Sequence, residues 1–208
     1  MNAPVYALAW LLSLGLGLQG AAAQAQKVKR TAPQIVRTSC YMCHSVQGNT
    51  PDLAFIPRLA AQNQNYIEAQ LKAFRDGSRR DPPATIYMWP IAQGLNDSQI
   101  QQAAAWFASQ SAPTPFPPGS SAGEGSDIFM HGILKADIPA CDSCHGAKAD
   151  GTGIFPRLAG QNAQYLIAQM RYFRSGVRNE NNSEIMKQIV LHMTDSQMSA
   201  VAEYLSSL

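Results

Sequence analysis

The chain has 208 residues, 46% of them hydrophobic and only 14% charged, with a formal net charge of +2. That length allows one large or two small domains with packed cores. So few charges, with no basic stripe, argue against a nucleic-acid partner.

The first 25 residues stand apart. Val5 to Leu18 is almost wholly apolar, and small residues follow up to Ala23-Gln24-Ala25, an A-x-A pattern. This reads as a secretory signal peptide over residues 1–25, although no Lys or Arg precedes the apolar run. The alternative is an uncleaved anchor, but the run of about 14 residues falls short of the ~20 that a spanning helix needs. Cleavage after Ala23 or Ala25 would leave the mature chain in the periplasm.

Ala32 to Arg37 is expected to form a short helix leading into Cys40-Tyr41-Met42-Cys43-His44. A second copy, Cys141-Asp142-Ser143-Cys144-His145, holds the other two of the four cysteines. Cys-x-x-Cys-His is the attachment signature of a c-type haem. Two thiols three positions apart can each add to a vinyl group of one porphyrin. The adjacent histidine is then held beneath the ring, where its imidazole can bind the iron. Two covalently bound haem c groups are therefore expected, one on Cys40 and Cys43 and one on Cys141 and Cys144, with His44 and His145 as iron ligands. A thiol redox pair would want a βαβ context. Paired zinc motifs stand about 15–20 residues apart, whereas Cys43 and Cys141 are 98 positions apart. A disulfide within each motif would leave both histidines unexplained.

Residues 57–80 and 156–179 match at 13 of 24 positions without a gap. A repeat with a period near 100 residues means a duplicated domain. Tyr66, Ile67, Leu71 and Phe74 fall at helical spacing, as do Tyr165, Leu166, Met170 and Phe173, so each segment predicts an amphipathic helix. Gly77 and Gly176 are the expected caps. Residues 81–85 read as a proline-containing loop. Asn96-Asp97-Ser98 and Thr194-Asp195-Ser196 supply N-cap residues for two further helices. The fold expected is all-α: two tandem domains, residues 26–110 and 123–208, joined by a Pro/Gly/Ser-rich linker over 111–122 that its prolines make semi-rigid.

An iron with histidine on one side needs a second ligand, and that ligand separates electron carriage from chemistry on bound molecules. In the first half Met42 sits inside the attachment loop, which leaves Met88. In the second half the repeat decides. Met88 is followed seven positions on by Leu95 and then Asn-Asp-Ser-Gln; Met186 is followed seven on by Met193 and then Thr-Asp-Ser-Gln. Met88 and Met186 are therefore the expected sulfur ligands. Met170, Met193 and Met198 align with Leu71, Leu95 and Ile100 and read as core. His131 and His192 are rival ligands, better read as solvated or hydrogen-bonded imidazoles.

The two attachment motifs, the two PRLA(A/G)QN-x-x-Tyr segments, the Met-x6-Leu/Met-(Asn/Thr)-Asp-Ser segments and the closing Ala-Glu-Tyr-Leu helix together resemble the dihaem cytochrome c4 family, over nearly all of the chain after residue 25. The resemblance implies two class I cytochrome c domains packed head to head, with haems close enough to exchange electrons. It also implies that the carbonyls of Pro57 and Pro156 accept hydrogen bonds from His44 and His145. Arg58 and Arg157 are candidates for pairing with haem propionates or, equally, surface arginines. Ile86 to Pro90 is similar to c4 members of acidophilic iron- and sulfur-oxidising bacteria. Ser45 stands where many members have Gly, with no evident consequence for attachment.

The function expected is a periplasmic electron-transfer protein, not an enzyme. It would carry single electrons from a membrane-bound respiratory donor, or a small periplasmic carrier, to a terminal oxidase, with peripheral membrane association left open. Two rivals stand: a cytochrome subunit of a dehydrogenase such as a sulfide-oxidising flavocytochrome, and a dihaem peroxidase, which would need an open iron. Residues 26–112 carry nine Lys/Arg and five Asp/Glu, a net of +4, and the remainder seven and nine, a net of −2, so the halves are expected to suit different partners. Each half is small and buries limited surface by itself. The haem-free chain should therefore lack most of its helical circular dichroism; an intact helical spectrum in haem-free protein would overturn this.

Overall fold

Each helix-starting signal in the sequence starts a helix, and the set appears twice. The computed structural model describes residues 31–50, 53 and 55–208; the segment read as a signal peptide lies outside the described residues. In the first half a π-helical turn (Val36–Cys40) runs into α1 (Tyr41–His44), followed by α2 (Gln64–Arg75). A second π-turn (Ala84–Met88) runs into α3 (Trp89–Ala92), and α4 (Asp97–Ala108) closes the half. The second half has α5 (Ala122–His131), α6 (Asp142–His145), α7 (Ala163–Ser175), α8 (Ser183–Leu191) and α9 (Asp195–Ser206). Among the described residues there is no sheet, only two isolated β-bridges.

Local chemistry accounts for the helix ends. Asn63 and Asn162 cap α2 and α7 by accepting from backbone N–H groups of the first turn. Asn96 with Gln99, and Thr194 with Gln197, form full capping boxes at α4 and α9. Gly176 ends α7 in the left-handed conformation at φ 74°. Both π-turns lie in the first half, and they end on Cys40 and Met88. One extra residue per turn re-aims the side chain that follows.

Two separate cores result. The first gathers Val36, Ile67, Phe74, Leu95, Ile100 and Phe107. The second gathers Phe129, Leu166, Met170, Val190, Met193, Met198 and Leu205. Met170, Met193 and Met198 are thus core, as their repeat positions require. α5 crosses α9 so closely that a Cβ at Gly125 would meet the Ala200 carbonyl at 1.9 Å.

The linker is held by more than its prolines. Phe116 N donates to Ser206 O at 3.0 Å, and Ser121 N donates to Glu203 at 2.9 Å. From the first half, Arg58 Nη1 donates to Thr114 O at 2.8 Å, and its guanidinium lies 3.9 Å over the Phe116 ring.

The halves meet through reciprocal contacts between equivalent residues, the pattern of a self-complementary twofold interface. Arg79 pairs with Asp81 at 2.7 Å, side chains 5% and 0% exposed; Arg178 pairs with Glu180 at 2.7 Å, both 4% exposed. Arg79 also donates to Gln70 and, across the interface, to Gln169. Arg178 donates to Gln169 and, across the interface, to Gln70 and Tyr66. Burial works against both guanidinium charges, but the facing phenols and carboxylates outweigh it and raise both pKa values. Asp81 is therefore an interface anchor, and residues 82–85 of the segment read as a loop are helical.

A buried pair contributes little net stability, but removing one partner strands the other charge, at a cost of about 3–5 kcal/mol. Asp81→Ala should lower the unfolding free energy of the haem-loaded protein by about that amount. The check is urea denaturation, and a change within ordinary surface-mutation scatter would refute it.

Candidate haem sites

His44 ends α1 and His145 ends α6, so each adjoins its second cysteine and follows the first by one helical turn. Both imidazoles are buried. His44 Nδ1 lies 3.1 Å from Pro57 O, and His145 Nδ1 lies 3.1 Å from Pro156 O. A carbonyl can only accept, so Nδ1 carries the proton and Nε2 presents a lone pair. Burial lowers both histidine pKa values, and the carbonyl bond offsets it only in part. Each ring is therefore neutral and held in one orientation, with Nε2 able to bind a metal.

The proline segments are themselves positioned from the far side of each motif. Leu59 N and Ala60 N both donate to Gly48 O; Leu158 N and Ala159 N both donate to Ala149 O. Trp106 Nε1 donates to Val46 O at 2.6 Å and fastens the first of these loops to α4.

No disulfide joins any of the four cysteines. Burial pushes Cys40 and Cys141 up to about 11, with the Asp142 charge adding to the effect at Cys141. A thiol redox pair depends on a depressed pKa, which neither Cys40 nor Cys141 shows. No group of three or more His, Cys, Asp or Glu side chains is placed to hold a metal ion among the described residues, so the zinc reading has no support.

Met88 ends the second π-turn and packs half-buried against the first core; Met186 lies within α8 and packs half-buried against the second. The rivals His131 and His192 are exposed. The equivalent arginines diverge. Arg58 is buried in the interface and donates to Thr114 O and Gly160 O, so it is no surface residue. Arg157 pairs with Asp150, and its buried Nε has no hydrogen-bond partner among the described residues. These features fit a covalent haem: two thiols beside a neutral imidazole, an orphan guanidinium nitrogen suited to a carboxylate, and exposed Ile86, Tyr87 and Trp89 flanking Met88 where an apolar macrocycle would cover them.

The cytochrome c family model matches this chain twice, at residues 30–111 and 123–208. The chain is 44% identical over 179 residues to cytochrome c-552 of Acidithiobacillus ferridurans, covering 85% of this chain and 76% of that protein. The structure of Acidithiobacillus ferrooxidans cytochrome c4 is 43% identical, covers 82% of this chain and 99% of its own, and superposes with a TM-score of 0.77. The chain belongs to the dihaem cytochrome c4 family. It is an electron-transfer cytochrome with two covalently bound haem c groups. It is also 35% identical over 206 residues to the thiosulfate dehydrogenase electron acceptor of Stutzerimonas stutzeri, covering 97% of this chain and 94% of that protein.

Sequence reasoning missed Gln62, Gln70, Arg79 and their equivalents Gln161, Gln169 and Arg178, which join the halves. A signal was present. These polar positions are identical between the repeats although the apolar stripe does not require them, and a self-complementary interface uses each residue twice.

Ser45, which follows the first motif, sits at φ 59° and ψ 168°, while Gly146 takes φ 80° and ψ 151° at the equivalent place. That region suits glycine, and serine is strained there. The substitution thus carries a cost in backbone conformation, which is separate from haem attachment. Ser45 Oγ accepts from Asn49 N at 3.1 Å, a partial compensation. Ser45→Gly should stabilise the haem-loaded protein by about 1 kcal/mol in chemical denaturation; a loss of stability would mean that the Oγ bond outweighs the strain.

Proposed function

We propose that this dihaem cytochrome is a periplasmic carrier of single electrons between a membrane-bound respiratory donor and a terminal oxidase. In this reading Cys40 and Cys43, and Cys141 and Cys144, form the thioether links. His44 with Met88, and His145 with Met186, are the axial pairs. The observation that carries the reading is the matched pair of neutral histidines, each with Nδ1 tied to a proline carbonyl and Nε2 left to a metal.

A bound haem supplies a one-electron ferric/ferrous couple. The residues do the rest. Pro57 and Pro156 orient the imidazoles, and the two cores exclude water from their buried faces. Thioether sulfur favours the reduced iron and gives a relatively high potential. With both methionines bound, neither iron would offer a site to substrate, which speaks against the peroxidase reading. No helix among the described residues is long and apolar enough to cross a membrane.

A second reading draws on the relative named as a thiosulfate dehydrogenase electron acceptor. Here the donor is a sulfur-compound dehydrogenase, with this chain as its acceptor or tightly held subunit. Copurification with a dehydrogenase, or rapid reduction by one in the presence of its substrate, would favour it over a membrane-bound donor.

The visible spectrum tests the ligands. The weak ferric charge-transfer band of methionine–iron bonding should account for two haems, and carbon monoxide should not bind. Met88→Ala and Met186→Ala should each remove about half of that band and open one haem to carbon monoxide. A full band in either variant would sink that assignment.

A further inference from the structure

The peptide unit between Pro57 and Arg58 is engaged at both ends. Its carbonyl accepts from His44 Nδ1 at 3.1 Å, and its N–H donates to Gln161 Oε1, in the other half, at 3.0 Å. Gln161 Nε2 returns a bond to Arg58 O at 3.0 Å, which fixes the orientation of the side-chain amide. The arrangement repeats in mirror form. Pro156 O accepts from His145 Nδ1 at 3.1 Å; Arg157 N donates to Gln62 Oε1 at 2.7 Å, and Gln62 Nε2 donates to Arg157 O at 2.9 Å. Each Oε1 is steadied by its own neighbour, Asn63 N or Asn162 N. Gln62 and Gln161 are 7% and 5% exposed, so both bridges are shielded from water.

An amide that donates through its N–H becomes more polar, and its carbonyl becomes a stronger acceptor, most of all where the dielectric is low. A stronger acceptor on the Nδ1 proton makes the imidazole a more basic ligand, which favours ferric iron. The strength of the His44 bond is therefore governed from the second half, and that of the His145 bond from the first.

We propose that Gln62 and Gln161 are crossed positioning residues: each acts through the other domain's Pro–Arg peptide on the histidine ligand there, and so sets the reduction potential of the other domain's haem. The inference rests on His44 and His145 being the iron ligands. It makes docking of the two domains part of redox tuning, because separating them would release both bridges and raise both potentials.

The test is a redox titration of the haem-loaded protein, with the two haems resolved by paramagnetic NMR. Gln161→Met removes the polar end at similar size. At fixed applied potential it should raise the reduced-to-oxidised ratio of the first-domain haem about two- to threefold and leave the second unchanged. Gln62→Met should do the reverse. Gln161→Glu keeps the acceptor oxygen and adds negative charge, so it should shift the first-domain haem the opposite way. Equal shifts at both haems, as a loosened interface would give, or a shift confined to the substituted domain, would overturn the proposal.

If the methionine variants fail to assemble, amide exchange in the unsubstituted protein decides. The Arg58 and Arg157 amide protons should exchange more slowly when the haem of their own domain is oxidised, and equal rates in both states would refute the coupling. Absence of hyperfine-shifted His44 and His145 ring protons would instead sink the ligand assignment.

Discussion

The structure around both sites depends on one peptide bond in each half, the bond joining proline to arginine. Proline has no N–H to donate and a fixed φ, so the segment continues no regular ladder through it, and its carbonyl here is taken by a side chain. That carbonyl holds the histidine. The next N–H is a donor in a buried place and must be satisfied, and the glutamine of the other half satisfies it. Orienting the histidine and joining the domains are consequences of the same few atoms.

The rest of the interface follows from burying charge. Besides Arg58, four buried charged residues lie at the junction, arranged as Arg79 with Asp81 and Arg178 with Glu180. Arginine suits the position because its planar fork can serve a carboxylate and two amides at once while its face rests on a ring. Here the guanidinium groups lie 4.8 Å over Phe74 and 4.2 Å over Phe173. A network of this kind has few alternative arrangements that leave no charge stranded. It therefore specifies one relative placement of the two halves more than it adds net stability.

Symmetry between the halves is broken in three places. Ser45 replaces the glycine seen at 146 and holds a strained conformation. Arg58 binds the linker and the second domain, while its equivalent Arg157 turns to Asp150. The first half approaches Cys40 and Met88 through π-turns, whereas Met186 lies in a regular helix. Duplicated domains of one fold thus present unlike surroundings to the same cofactor.

The attachment motifs, helices α2, α4, α7 and α9, the caps at Asn96 and Thr194 and the core methionines were legible in the chain because each rests on local spacing; the helical turns after Asp81 and helix α8 were not. Three positions separate the thiols, 3.6 residues make a turn, and Asn-x-x-Gln closes a capping box within four residues. The repeat carried this further by sorting Met186 from Met170, Met193 and Met198. What tertiary structure alone decided are contacts between residues about 100 positions apart: Gln161 on Arg58, Gln62 on Arg157, Arg178 on Gln70 and Tyr66. A glutamine or arginine on a helix face carries the same local signal whether it meets water or a partner. Only the docking of the two halves buries it, and burial turns a solvated side chain into a bridge between the two sites.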